Sequence, residues 1–457
     1  MNTIVALATP AGRSGIGVIR MSGPQAKSVA AQITDVEDLV PRRSHLRRLT
    51  DPGTNLVVDE ALLTYFKAPN SFTGEDVVEI GCHGSPVLLR QVLDLCLDAG
   101  ARLAEPGEFS LRALSNGRID LAEAEAIRDL IDARSIAAAR QAVRQLRGEF
   151  SHQLVPIKED LLNVIVVLES ALEFVEDDLP ETSRDKIVGD LKRIFEEIRK
   201  LAGSFKAGKL IREGIRVALV GRPNVGKSSL FNALIGSDRA IVTDIAGTTR
   251  DQLYESFAVR GIPVSLIDTA GLRETLDKVE SIGVERSRRT MADADLVVVL
   301  LDASDTVADE DLEIIKSVAD LNYLIVINKI DISHPESVNE IVSSLSNLSN
   351  GTSSTIVEVS AKTGAGLGDL STALIEPFTA EDVSSAGFLV TDARHYDLLV
   401  RSADEIEQSL SLIRENASEE IILVGLHNAL RYLGRITGET TTEDMLTRIF
   451  STFCIGK

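Results

Sequence analysis

Residues 221–228 read GRPNVGKS, a match to G-x-x-x-x-G-K-[ST]. The apolar run RVALV (216–220) precedes them and the helical pattern SLFNALIG (229–236) follows. A strand, a glycine loop and a helix in that order form a phosphate cradle. Gly221 lets the backbone wrap the phosphates, and Asn224, Val225 and Gly226 turn their N–H groups inward. Lys227 reaches the β- and γ-phosphates, the Ser228 hydroxyl is placed for Mg²⁺, and Ser229 continues the first helical turn. Outward from this loop, PVSLID (263–268), DLVVVLLD (295–302), YLIVIN (323–328) and TIVEVS (355–360) alternate with helical patterns. These runs are apolar throughout, as in a parallel sheet covered on both faces. The spacing predicts a doubly wound α/β domain over residues 211–378.

Further motifs follow in order. GTTRD (247–251) falls where a switch loop belongs, with Thr249 as a second Mg²⁺ hydroxyl. DTAG (268–271) closes a strand, so Asp268 stands where it can hold Mg²⁺ through water, with Thr269, Ala270 and Gly271 at the γ-phosphate. NKID (328–331) sets Asn328, Lys329 and Asp331 to read guanine, the Asp331 carboxylate accepting from the ring N–H and the exocyclic amine. Adenine offers no such donor pair, so the motif selects GTP. SAK (Ser360, Ala361, Lys362) closes the base pocket.

Leu272 occupies the position after DTAG where Ras-like enzymes carry a water-orienting Gln. Leucine cannot orient a nucleophile, so hydrolysis is completed by another group or is slow. Arg250, Arg273 and Glu280 in KVESIG are the switch-region candidates. The Asn224 carbonyl oxygen is placed to ligate a monovalent cation, which would bring positive charge to the transition state.

The 457-residue chain carries a net charge of −21, which disfavours non-specific attraction to phosphate backbones. Its densest positive run, PRRSHLRR (41–48), reads as a solvated loop. Cys82, Cys96 and Cys454 are too few and too odd in number for a disulfide framework, and fit a reducing cytosol. There is no secretory signal pattern, no apolar run long enough to span a membrane, and no histidine spacing of a zinc site.

Residues 1–117 mix strand-like runs (TIVALAT, GIGVIRMS, ALLTYFKA, DVVEIGCH) with the amphipathic helix SPVLLRQVLDLCLDAGA ending at Gly100, and predict an α+β domain. Residues 118–210 are Ala-, Leu-, Glu- and Arg-rich with helical periodicity, broken near Pro180 by VEDDLPETS. Helical patterns return over 379–457. The predicted architecture is multidomain α+β: an N-terminal α+β domain, a discontinuous helical domain, and an α/β P-loop GTPase domain inserted into it.

Five stretches outside the GTPase motifs, ATPAGRSGIGVIR (8–20), PNSFTGEDVVEI (69–80), PGEFSLRAL (106–114), LAEAEAIRDLIDA (121–133) and RIFSTFCIGK (448–457), resemble the MnmE (TrmE) family of tRNA-modification GTPases. The resemblance spans the whole chain. It implies a folate-binding-like N-terminal domain that dimerises, and a cytoplasmic homodimer working with the FAD- and NADH-dependent partner MnmG. It further implies addition of an aminomethyl or carboxymethylaminomethyl group to C5 of the wobble uridine of certain tRNAs. The one-carbon unit would come from a tetrahydrofolate derivative, 5-formyl- or 5,10-methylene-tetrahydrofolate. By motif matching, folate contacts fall on Arg20, Glu79, Arg118 and Lys457, where Arg118 stands in place of a lysine of some relatives. K⁺-activated pairing of GTPase domains is implied, with K⁺ at Asn224, Thr243, Ile245 and Thr248, Glu280 handling water and Arg250 assisting.

A GTP-timed ribosome-assembly factor is the competing reading. It calls for an RNA-binding module with a basic groove or aromatic platforms, which an acidic chain with 4% aromatic residues and no tryptophan does not display. The tail Cys454-Ile455-Gly456-Lys457 resembles a prenylation box only in its cysteine. Gly and Lys occupy its aliphatic and terminal slots, and no polybasic run precedes it. The family resemblance implies instead that the tail lies near the folate site, with Cys454 a candidate for the modification chemistry.

Overall fold

In the computed structural model, residues 2–34, 38–173, 181–237, 255–267, 294–346, 355–378, 387–439, 446, 449–454 and 456 are described. The strand-like runs of the first segment build a sheet from β1 (Ile4–Leu7), β2 (Ile16–Ser22), β3 (Ser44–Thr50), β4 (Val57–Phe66), β5 (Val77–His83) and β6 (Arg102–Leu103). Its order is β3-β4-β5-β2-β1-β6, antiparallel except for β1 with β6. Period-two alternation gives it two unlike faces. Val5, Ile19, Leu63, Val78 and Ile80 point to one face, buried with Val29 of α1 (Ala26–Gln32) and Leu89 and Val92 of α2 (Pro86–Asp98). On the other face α3 (Glu108–Ser115) seats Phe109 against Ile4, Ala6 and Ala104. The paired Leu46 and Leu62 on that same face stay 60% and 49% exposed.

The basic run expected to be a loop is instead largely strand. Ser44 to Arg48 form the first part of β3 and pair with Thr64 to Glu60 of β4. His45, Arg47 and Leu49 alternate with Leu46 and Arg48, a period of two that charge counting hides. The β4 ladder satisfies the backbone groups that a loop would leave to water.

The helical stretch resolves into α4 (Leu121–Ile131), α5 (Ile136–Leu146), α6 (Glu149–Glu173), α7 (Glu181–Gly203) and α8 (Phe205–Glu213). The break expected at Pro180 lies outside the described residues. Pro156 sits inside α6, where it removes one backbone donor.

The next segment forms β7 (Ile215–Val220), α9 (Lys227–Ser237), β8 (Glu255–Val259), β9 (Ile262–Ile267), β10 (Leu296–Asp302), α10 (Asp309–Ser317), β11 (Tyr323–Asn328), α11 (Pro335–Ser346), β12 (Ile356–Glu358) and α12 (Leu367–Ile375). The sheet order is β12-β11-β10-β7-β9-β8, all parallel apart from β8 against β9. Val298 and Leu300 of β10 enter one core and Val297, Val299 and Leu301 the other, which is why the run is apolar throughout. β7 lies between β9 and β10, so the loop after β7 opens at the point where strand order reverses.

Two helices follow, α13 (Ala393–Arg414) and α14 (Glu419–Thr437). α13 packs on α7 and α14 packs on α6, so helices before the insert pair with helices after it. The chain divides into two compact units, residues 1–128, 145–175 and 417–457 in one and 129–144 with 176–416 in the other.

Candidate functional site

At the carboxyl end of β7 the phosphate loop needs its glycines. Gly221 has φ 153° and a Cβ there would fall 2.6 Å from the Leu300 carbonyl oxygen. Gly226 has φ 96° and a Cβ there would fall 2.3 Å from Asn328 Nδ2. Asn224 between them is exposed with φ 64°. Lys227 Nζ donates to the carbonyl oxygens of Gly221 and Arg222, each at 2.7 Å, so its ammonium lies along the inside of the loop. Burial lowers its pKa. Ser228 and Ser229 are exposed in the first turn of α9, whose N-terminus favours anions.

The far side of the loop is tied down by a residue the sequence reading passed over. Arg222 Nε donates to Asp311 Oδ1 at 2.8 Å and its NH2 to Asp305 Oδ2 at 3.3 Å. Asp311 is 1% exposed and also accepts the Ala308 N–H at 3.0 Å, closing the start of α10. Its sequence signal is a carboxylate at the third position of a helix, DED (309–311), which by itself reads as an ordinary first-turn acid.

Asn328 ends β11 at 1% exposure and uses both ends of its amide. Nδ2 donates to the Val225 carbonyl at 2.9 Å, and Oδ1 accepts the Ala361 N–H at 3.1 Å. One side chain therefore joins the phosphate loop to the SAK loop. Lys329, at φ 68°, donates through Nζ to the Asn224 carbonyl at 2.8 Å and to Asp302 Oδ2 at 2.6 Å. Burial pushes the Asp302 pKa up, but Lys329 and Ser304 outweigh it and hold the carboxylate charged. Ser360 Oγ donates to Asp331 Oδ1 at 2.7 Å and accepts the Thr363 N–H at 3.1 Å. Gly226, Ser229, Asn328, Lys329, Asp331, Ile332, Ala361 and Lys362 enclose a cleft of about 440 Å³. Asp302 and Ile332 were not expected here; each sits beside a motif residue and carries no motif of its own.

Thr243, Ile245, Thr248, Thr249, Arg250, Asp268, Thr269, Ala270, Gly271, Leu272, Arg273, Glu280 and Lys457 lie outside the described residues. Among the described residues no three His, Cys, Asp or Glu side chains cluster to hold a metal, and no helix is long and apolar enough to cross a membrane.

A second constellation sits on the N-terminal sheet. Arg20 and Glu79 are register partners on β2 and β5, and Arg20 Nε and NH2 donate to Glu79 Oε1 at 2.9 and 2.7 Å. The rings of Phe72 and Phe109 have centroids 5.9 and 6.0 Å from the Arg20 guanidinium carbon. Arg118 runs beside Gly74, where φ is 79° and a Cβ would fall 3.2 Å from Arg118 Cγ. Beneath, Arg112 joins Glu75 at 2.9 Å and Glu108 at 2.8 Å, and Arg102 joins Glu108 at 2.5 Å. Burial raises the Glu108 pKa, but Arg102, the Glu105 N–H and Arg112 overcome it and bring it to about 2.

The tail packs onto the same domain. Phe450 and Phe453 cluster with Leu121 and Ala124, and the Gly107 N–H donates to the Cys454 carbonyl at 3.5 Å. Gly456, at φ 98°, sits where a Cβ would meet the Leu7 carbonyl oxygen at 2.5 Å. Ala6, next to Leu7, is the register partner of Arg20, so the tail lies beside the strand that flanks the Arg20–Glu79 pair. Cys454 is exposed, whereas burial pushes the Cys82 and Cys96 thiols up to about 12.

Comparison with known proteins covers the whole chain. A family model described as the MnmE helical domain matches residues 121–454, and one described as the GTP-binding protein TrmE N-terminus matches residues 3–118. The tRNA modification GTPase MnmE of Koribacter versatilis is 43% identical over 461 aligned residues, covering 100% of this chain and 99% of that one. Its counterpart of Aquifex aeolicus is 44% identical over 457 residues, covering 99% of each chain. That of Thermoanaerobacter pseudethanolicus is 42% identical, covering 100% of this chain and 99% of that one.

Proposed function

The chain belongs to the MnmE family of tRNA-modification GTPases, and from that membership we propose a GTPase that works on the wobble uridine of tRNA. The observation that carries it is the cleft in which Asn328 ties the phosphate loop to the SAK loop beside the Asp331 carboxylate. That carboxylate, held by Ser360, faces a base with a donor pair, which is guanine. Lys227 takes the β- and γ-phosphates. Mg²⁺ would be held by Ser228 and Thr249, with Asp268 acting through water, and would neutralise charge on the phosphates; the exposed Ser228 hydroxyl in the first turn of α9 fits that part. K⁺ would be held at Asn224, Thr243, Ile245 and Thr248, and would bring the cation that Leu272 cannot recruit; the exposed Asn224 fits. Glu280 would position water, with Arg250 assisting.

The finer reading extends this. The N-terminal domain, residues 1–117, takes a tetrahydrofolate derivative at Arg20, Glu79, Arg118 and Lys457. The Arg20–Glu79 pair between two aromatic rings offers a donor and an acceptor edge for a flat heterocycle, which supports the reading. The folate supplies a one-carbon unit, and Cys454 takes part in its transfer. The open sheet face bearing Leu46 and Leu62 supports a homodimer. MnmG brings FAD, and the complex works in the cytoplasm. The helical domain, 118–210 with 379–457, carries the inserted GTPase domain, 211–378, and pairing of the latter resets the modification centre.

The test is mass spectrometry of wobble nucleosides in tRNA from cells lacking the protein. A missing C5 substituent, restored by the wild-type chain and not by Asp268→Asn or Arg20→Ala, is the expected result. Unchanged nucleosides would sink the reading. Normal modification with Asp268→Asn would remove the coupling alone.

A further inference from the structure

We propose that the cationic edge of the N-terminal sheet, Arg42 and Arg43 just before β3 and Arg47 on it with Lys67 nearby, docks the sugar–phosphate backbone of tRNA; this rests on the reading of the chain as a tRNA-modification GTPase. The chain as a whole repels polyanions at a net charge of −21, so a substrate of that kind needs a local patch where cations are uncompensated. β3 is the outermost strand of its sheet. Two acids near it are neutralised, Glu60 by Arg48 at 3.2 Å and Asp38 by Lys27 at 2.9 Å, and Asp59 is hydrogen-bonded to His83 at 2.8 Å; Asp76, which accepts the Ala68 N–H at 2.9 Å, and Asp51 form no ion pair among the described residues. Arg42, Arg43, Arg47 and Lys67 form no ion pair among the described residues, and Arg42, Arg43 and Lys67 are exposed.

The guanidinium groups are also aimed. Arg42, at φ 60°, donates through NH2 to the Asn70 carbonyl at 3.0 Å, and Arg47 donates through NH1 to the Leu46 carbonyl at 2.9 Å. Each fork keeps further N–H groups for acceptors. That three of the four cations are arginine suits phosphate, which a planar fork binds through two parallel hydrogen bonds and lysine only as a point charge. Along an extended backbone, Arg43 and Arg47 stand about 13 Å apart, room for more than one phosphate.

One register row runs Ser44, Thr64, Glu79, Arg20 across β3, β4, β5 and β2. Two strand spacings, about 10 Å, separate β3 from Glu79, and three, about 14 Å, separate it from Arg20. Arg47 belongs to the other row, with His45 and the buried Leu49, so it projects from the face opposite Arg20 and Glu79 and leaves the face bearing Leu46 and Leu62 free for a second copy of the chain. The bland account is edge protection, in which charges merely stop strand-to-strand pairing. It predicts no effect on tRNA.

The experiment measures binding of labelled tRNA to the full-length protein between about 50 and about 200 mM salt. Arg43→Gln with Arg47→Gln is expected to weaken binding about tenfold and to make the log–log salt slope shallower by about 1.4–1.8, the share of two phosphate contacts. Arg43→Glu with Arg47→Glu weakens it further. GTP hydrolysis without tRNA stays at the wild-type rate in both, which verifies folding, and the Gln pair carries the test if the Glu pair misfolds. Wild-type affinity and slope in the Gln pair would overturn the proposal and leave edge protection. If the wild-type chain bound no tRNA, and cells lacking it kept normal wobble nucleosides, the functional reading would fall together with the docking edge.

Discussion

At the scale of single residues, the nucleotide site depends on side chains that do two jobs. Asn328 holds two loops with one amide, and Asp331 is oriented by Ser360, so the base recognition proposed for Asp331 would be joined to loop geometry. Asp331→Asn exchanges an acceptor for a donor toward the base. GTP affinity should fall by about ten- to a hundredfold, the worth of a hydrogen bond to a charged group, and xanthine nucleotides should gain. Hydrolysis assays with both nucleotides check this; a retained GTP preference would remove Asp331 from base reading. Arg222 is the other dual residue, its carbonyl accepting from Lys227 while its guanidinium is fixed by the buried Asp311. Arg222→Met leaves that carboxylate unpaired, an error worth about 3–5 kcal/mol at a buried site. The KM for GTP should rise at least tenfold with kcat changed much less. Adding Asp311→Asn should recover part of the loss, because the unpaired charge goes with it. Additive losses in the double variant would mean that the two residues act separately.

At the scale of elements, α3 is held by charge as much as by Phe109. Glu108 accepts from Arg102 and Arg112, and its pKa is brought from the ordinary 4.5 to about 2. A carboxylate with a folded pKa below its unfolded one adds stability that is complete above the unfolded value. That stability drains as pH falls through the folded value. The window here runs from about pH 4.5 down to about pH 2, and the upper bound is about 3 kcal/mol. Urea midpoints of the wild type should drop through that window, and Glu108→Gln should flatten the drop while lowering the midpoint at pH 7. Equal slopes for the two proteins would place the acid sensitivity elsewhere. The same scale explains β3. Its arginines hide a period of two, and only pairing with β4 tells strand from loop.

At the scale of the whole molecule, the α/β domain interrupts the helical stretch. The helices on either side of the insert pair with each other, α7 with α13 and α6 with α14. The proposed cation dependence belongs here, because K⁺ would act through pairing of GTPase domains. Replacing K⁺ by Na⁺ at constant ionic strength should lower GTP hydrolysis by at least tenfold. Equal rates in both salts would take K⁺ out of the mechanism.

What could be read from the sequence was whatever is local. GRPNVGKS, NKID and SAK each recur as short strings because a phosphate loop and a base pocket are built from contiguous backbone, where glycine at positive φ and a fixed donor order are needed. The apolar runs announced a sheet covered on both faces for the same reason, since burial on both sides removes alternation. The tertiary structure decided what depends on distant residues meeting. Arg222 and Asp311 are far apart in sequence and joined only when β7 and α10 assemble. Arg20 and Glu79 became a pair through strand register, and the tail reached Leu7 and Gly107 through packing of Phe450 and Phe453. Such contacts leave no periodic trace, because a side chain's partner is set by the path of the chain between them and not by the residues next to it.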